Sequence, residues 1–295
     1  MNDKPSLQPD LPVGEALGAV ARDIIADARA TISDPSRSDA QAVHDFRRQM
    51  KRWRALLRLL KPFLGEDIAA LRTEARDLAR ALGGARDAQS ALDALNDLAG
   101  HGLHFTKQSL ATARSRIEEL KEAAETTTLT ADMRLRLTQA LDQALAAVEQ
   151  WPLHQLSFPD IARCLTRGYR AAREALPQDW AEATGEDLHE LRKRIVTHRY
   201  QMETVVPLWR RFGKMWVGEA QRLRDRLGQQ QDLLLLVKMT EPHQPLARWR
   251  SRLRPAIIER GNEHLRVARR IAERLFVERP RAFRRRLEVM WETGG

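Results

Sequence analysis

One cysteine, two tyrosines and no long apolar run mark this chain of 295 residues. The single Cys164 excludes an internal disulfide and leaves no thiolate cluster for a metal, which fits a reducing cytoplasm. No stretch approaches the roughly 18 uninterrupted apolar residues of a membrane span. The start, MNDKPSLQPDLPVG, has no basic segment followed by an apolar one, so neither spanning nor secretion is supported. No G-x-x-x-x-G-K, no G-x-S-x-G and no catalytic Cys-His pairing occurs, and no segment alternates apolar and polar residues as a strand does.

Hydrophobic residues make up 43% and charged residues 31% of the chain, rich in Ala, Leu, Arg and Glu, which favours helices. The expected fold class is all-α. The formal charge is +10, carried mostly by Arg, whose planar fork of donors binds oxyanions. A polyanionic partner is expected.

The chain repeats itself at an offset of 145 residues, where HDFRRQMKRWR from His44 aligns with HELRKRIVTHR from His189. Arg47/Arg192, Arg54/Arg199, Pro62/Pro207, Glu74/Glu219, Leu78/Leu223, Gly83/Gly228 and Asp87/Asp232 continue the register without a gap. Further upstream the match is looser, with Arg22 opposite Arg167. So long a period predicts a duplicated helical unit: two antiparallel four-helix-type bundles about a pseudo-twofold, with a basic cleft between them. The expected layout is a flexible tail over residues 1–10 and one domain over 11–295, with repeats at 11–155 and 156–295. Helix breaks are expected at SDPSRSD, LGGARD, GHGL, ETTTLT, WPLHQLSFPD, LGQQQD and EPHQP.

The segment AVHDFRRQMKRWRALLRLLKPFLG, from Ala42, holds seven Lys and Arg. At about 100° per residue, His44, Arg47, Lys51, Arg54 and Arg58 form one stripe, opposite Phe46, Met50, Trp53, Leu57 and Leu60. Like charges at this spacing repel by a few tenths of a kcal/mol each, so the stripe costs stability locally. The counterpart stripe keeps His189, Arg192 and Arg199 but carries Val196 and Glu203 where the first has Lys51 and Arg58; Lys193 lies beside it. His198 falls among Leu191, Ile195 and Met202 and reads as a core residue. Two such stripes facing across a cleft would focus positive potential on an anionic chain, and histidine, which titrates near neutrality, would add to it. Arg167, Arg170 and Arg173 precede the second stripe, and Arg266, Arg270 and Arg274 are placed to line the same cleft. Arg48 and Arg52, on the first basic helix, and Arg22, the counterpart of Arg167, are further candidates.

The same residues offer little to other chemistries. Glu186 and His189 form an E-x-x-H of the spacing found in di-metal bundles, but the first repeat has Gln41 in place of the carboxylate, and Arg192 and Lys193 repel a dication. No metal or other cofactor is expected, nor is the phosphohydrolase that His44-Asp45 suggests. Asp87 and Asp232 are expected to cap helices or orient basic side chains. Nucleic acid is the principal competing partner, since phosphate backbones bind basic proteins by default, yet the stripe offers no stacking ring.

AVHDFRRQMKRWRALL, LHELRKRIVTHRYQME and AERLFVERPRAFRRRLEVMW together resemble the signatures of the CHAD domain, the conserved histidine α-helical domain, from about Leu11 to Trp291. The resemblance implies non-enzymatic binding of inorganic polyphosphate in a basic central cleft. It also implies location at cytoplasmic polyphosphate granules, with granule-associated proteins as further partners. It directs attention to His44, Arg47, Lys51, Arg52, Arg54, His189, Arg192, Lys193 and Arg199 as binding residues. VTHR at 196–199 departs from the more basic family pattern. With no E-x-E-x-K-type start, the chain resembles stand-alone members rather than those fused to a triphosphate-hydrolysing domain.

Overall fold

The computed structural model describes residues 4–65, 67–82, 86–101, 105–125 and 129–294. Among them are eleven α-helices and no strand. These are α1 (Val13–Ser33), α2 (Asp39–Leu64), α3 (Asp67–Ala81), α4 (Arg86–Gly100), α5 (Lys107–Glu125) and α6 (Ala131–Glu149) in the first half. The second half holds α7 (Phe158–Glu174), α8 (Gly185–Glu203), α9 (Arg210–Met239), α10 (Arg250–Leu275) and α11 (Pro280–Thr293). No helix is long and apolar enough to cross a membrane among the described residues.

Local chemistry sets the ends of the two basic helices. Ser38 begins α2 with a capping box: its hydroxyl accepts from the Gln41 amide at 3.3 Å, and its own amide donates to the Gln41 side chain. Pro62 removes an amide near the other end, and Gly65, at φ +66°, turns the chain out of the helix. Thr184 and Asp187 form the equivalent box at the start of α8.

A shift of 145 residues carries α1, α2, α5 and α6 onto α7, α8, α10 and α11, and carries α3 and α4 together onto the single helix α9. The packing repeats with it. In the first half α1 lies on α2, α2 on α3 and α6 on α1; in the second α7 lies on α8, α8 on α9 and α11 on α7. The halves meet where α2 packs on α8 and α4 on α9. At the first junction the Gln201 amide donates to the Ala55 carbonyl at 3.2 Å.

The apolar residues collect in two clusters, and neither is confined to one repeat. The larger joins α1, α2, α3 and α6 to α7, α8, α11 and parts of α9 and α10. The smaller joins α4 and α5 to the C-terminal half of α9 and the start of α10, through Leu95, Leu98, Ile117, Leu236, Trp249 and Leu253. Asp97 of α4 reinforces this second contact. Arg260 of α10 grips its carboxylate with two hydrogen bonds of 2.8 and 2.7 Å, and fully buried His264 adds a third at 2.9 Å. Although burial opposes it, these partners hold the Asp97 carboxyl far below the usual carboxylate range.

Several expectations change. The break expected at LGQQQD is absent: α9 runs unbroken, and Gly228 serves instead as a point of close approach, where a Cβ would sit 3.2 Å from the Arg192 guanidinium. The good helix formers around Gly228 outweigh its cost of about 1 kcal/mol. The tail expected over residues 1–10 is anchored from Lys4 onward. Leu7 is fully buried and its amide donates to the Thr204 carbonyl at 2.8 Å, while Lys4 pairs with Asp27. In the breaks expected at LGGARD, GHGL and ETTTLT, residues 83–85, 102–103 and 126–128, Gly83 included, lie outside the described residues.

His198 is a core residue, as expected. It is fully buried, accepts from the Trp216 indole at 3.0 Å and lies among Tyr169, Phe276 and Phe283. Burial pushes its pKa down from 6.5 to about 3. Between those two values the unfolded chain takes up a proton that the folded chain excludes. Stability therefore falls as pH drops from 6.5 toward 3, by at most about 1.4 kcal/mol per pH unit from this residue. In urea unfolding, His198→Gln is expected to be less stable at neutral pH but less sensitive to acid over this window; an unchanged pH dependence would remove His198 as the cause. Arg260→Ala is expected to cost about 2 to 3 kcal/mol, because it leaves a partly buried carboxylate with His264 as its main remaining partner. A loss under about 1 kcal/mol in the same assay would show that Asp97 finds other partners.

Candidate anion-binding cleft

The first half of α2 presents His44, Arg47, Arg48 and Lys51 to a cleft of about 810 Å³. Arg192 and Arg199 of α8 form another wall, α9 contributes Gln221, Arg224 and Asp232, and α4 and α5 close it with Gln89, Ser90, Asp93 and Lys121. Seven Lys and Arg thus face three carboxylates, Asp39, Asp93 and Asp232. The balance is strongly cationic. Part of the charge is already matched by acids: Arg199 pairs with Glu203 at 2.6 Å, Arg224 with Asp225 at 2.6 Å and Arg48 with Asp45 at 3.2 Å, while Asp39 pairs with Arg134 at 2.6 Å.

Each wall is held from behind. Phe46, Met50, Trp53 and Leu57 bury the reverse face of α2, and Trp53 stacks on Trp151 with ring centroids 5.7 Å apart. Arg47 donates to the Leu82 carbonyl at 3.0 Å, which ties the α2 wall to the end of α3. Burial raises the Glu203 carboxyl pKa despite the opposing pull of Arg199 and Arg52. Among the described lining residues Tyr200 is the single aromatic, and the Arg199 guanidinium covers its ring at 4.0 Å. Stacking surface for a base is limited there to the exposed His44 imidazole and the guanidinium planes. A strand of phosphates, recognised by charge and by N–H donors, suits such walls.

Of the residues expected from the sequence, His44, Arg47, Arg48, Lys51, Arg192 and Arg199 come together in this cleft. The others do not line it. Arg52, one residue and about 100° beyond Lys51, faces α1, where it bonds Asp27 at 3.1 Å and lies 3.6 Å from Asp23 and 3.9 Å from Glu203. Arg54 and Arg58 continue the α2 stripe, half-buried, toward α3 and α8. His189 and Lys193 are exposed on α8, with Lys193 paired to Glu190 at 3.3 Å. Arg22 pairs with Glu149 at 3.3 Å, Arg167 donates to the Cys164 sulfur at 3.0 Å, and Arg173 donates to the Phe276 carbonyl at 3.0 Å. Arg170, Arg266 and Arg270 are exposed elsewhere. Arg274 borders a separate depression with Phe212, Met215 and Val277. Of the two roles expected for Asp232, its place inside α9 excludes capping; it lines the cleft together with Arg192 and Arg224. No group of three or more His, Cys, Asp or Glu is placed to hold a metal ion among the described residues.

Lys121 and Arg224 line the cleft in addition to the residues expected from the sequence. Lys121 had a signal, because the 145-residue offset maps it onto Arg266, already a candidate; Arg224 maps onto Ala79 and had none.

The family model for the CHAD domain matches residues 15–241. Among solved structures, PptA from Streptomyces chartreusis superposes with a TM-score of 0.63 at 16% identity, over 91% of this chain and all of that one. The CHAD domain from the plant Ricinus communis gives 0.57, also at 16% identity, over 97% of this chain and 95% of its own. At this identity the likeness is one of fold. No curated protein sequence matches the chain.

Glu203 restrains the charge of Arg199, so Glu203→Gln is expected to raise affinity for a polyanion roughly two- to fivefold at low salt. Titration calorimetry of the two proteins checks this; an unchanged or weakened affinity would mean that Arg199 does not reach the ligand.

Proposed function

Since the chain belongs to the CHAD-domain family, we propose that it is a non-enzymatic binding module for inorganic polyphosphate. The cleft between α2, α8 and α9 takes the phosphate strand. One observation carries the reading: seven Lys and Arg from four helices converge with His44 on a cleft whose single described aromatic is capped by Arg199. The donors recognise phosphate oxygens, and the lining carries no exposed Phe, Tyr or Trp among the described residues on which a base would stack. Affinity comes from many modest charge-assisted contacts and from counterion release, so binding weakens as salt rises and as the strand shortens. Association with polyphosphate granules in the cytoplasm is the cellular counterpart of this reading.

The test is a titration with long-chain polyphosphate over a range of salt, with duplex DNA and single-stranded RNA as competitors. We expect tight, salt-dependent binding that neither nucleic acid displaces at equal phosphate concentration. Arg48→Gln with Lys51→Gln is expected to weaken binding roughly tenfold and to reduce the salt slope by about 1 to 2. Equal competition by nucleic acid would mean that the cleft reads charge alone. Release of phosphate on adding Mg²⁺ or Mn²⁺ would replace the module with a hydrolase.

A further inference from the structure

Beyond Lys51 the α2 stripe leaves the cleft and meets a second set of arginines. Arg54 and Arg58 lie one and two turns further along the same face, where α2 packs on α3 and on α8. From α3 come Arg72, Arg76 and Arg80, at successive i+4 positions. From α8 comes Arg194, one turn before Thr197, whose hydroxyl accepts from Arg58 at 3.4 Å. Arg54 and Arg72 make no hydrogen bond or ion pair among the described residues. The acids that reach this set are few. Asp77 is held by Arg76 at 2.8 Å and lies 3.9 Å from Arg80; Glu190 is held by Arg194 at 2.7 Å and Lys193 at 3.3 Å. Half-burial lowers the pKa of Arg54 and of Arg58, and the neighbouring arginines lower them further.

The duplication supplies an internal comparison. The residues 145 positions after Arg58, Arg72, Arg76 and Arg80 are Glu203, Val217, Gln221 and Asp225. Arg199, the counterpart of Arg54, is matched by Glu203 at i+4, where Arg54 has Arg58. The fold therefore does not require these guanidinium groups. Crowding cations at half-buried positions costs stability, and an anion bound among them relieves the cost.

We infer that the arginines of α2, α3 and α8 form a second anion-binding site, which takes successive phosphates of a strand as it leaves the His44 cleft. The identity of the ligand rests on the polyphosphate reading, while the site itself rests on the arginine cluster. The track makes binding asymmetric, with the first repeat holding more of the strand than the second.

Two measurements test it. Arg72→Gln with Arg76→Gln is expected to weaken long-chain polyphosphate binding roughly tenfold and to reduce the salt slope by about 1 to 2, with melting unchanged or raised. Independently, phenylglyoxal modification of the wild-type protein, read by mass spectrometry with and without pyrophosphate, is expected to show Arg58 and Arg72 protected by the anion. Unprotected arginines, or a folded double variant with wild-type affinity and slope, would overturn the track. If long-chain polyphosphate does not bind the wild type yet pyrophosphate protects Arg58 and Arg72, the proposed function fails and the anion site stands.

Discussion

The structure depends on burying the back of each cationic helix in its own half of the molecule, Met50 and Trp53 of α2 among residues of α1, α3 and α6, and His198 of α8 among Tyr169, Trp216 and Phe283. The α2 stripe repels itself at several i, i+3 and i+4 pairs, at a few tenths of a kcal/mol each. Phe46, Met50, Trp53, Leu57 and Leu60 on the reverse face are almost wholly buried, and each contributes about 2 kcal/mol on leaving water. Burial wins by several-fold. The charge can therefore be kept on one face without a compensating carboxylate at every turn, and the helix stays in place with that face open to a ligand.

Duplication makes this arrangement possible twice and then breaks its evenness. Packing α2 on α8 brings Arg47 and Arg192, partners across the repeat, to one cleft. The walls behind them differ. In the second half Glu203 holds Arg199, and α9 is continuous past Gly228, which leaves room for the Arg192 guanidinium. In the first half α2 continues into a field of arginines with few acids. One architecture thus carries two different charge distributions, because apolar periodicity constrains the buried face while the exposed face is free to diverge.

The cleft is closed by helices that belong to the smaller core. The α4 and α5 pair docks on α9 and α10 rather than on α1 to α3, and the Asp97, Arg260 and His264 contact fixes where it sits. Lys121 and Asp93 reach the cleft only because of that docking. The shape of the anion site and the stability of the second core are in this way parts of one problem.

Much of the fold was legible in the sequence, since helix periodicity and the 145-residue repeat are local or one-dimensional signals. The apolar back of α2, the buried His198 and the cationic stripe from His44 to Lys51 were all readable from about 100° per residue. So was membership of the CHAD family, which the signature segments carried and the family model shows. Tertiary structure alone decided which cations share a space. Arg52 and Lys51 are neighbours in sequence, yet one is held by acids around α1 and the other faces the cleft. Arg173 and Arg167 are occupied by a carbonyl and a sulfur, and Arg224 enters from a helix whose register with α2 nothing local encodes. A side chain's direction follows from its own helix, whereas its partners follow from how helices far apart in the chain pack, and that is settled by the whole apolar core at once.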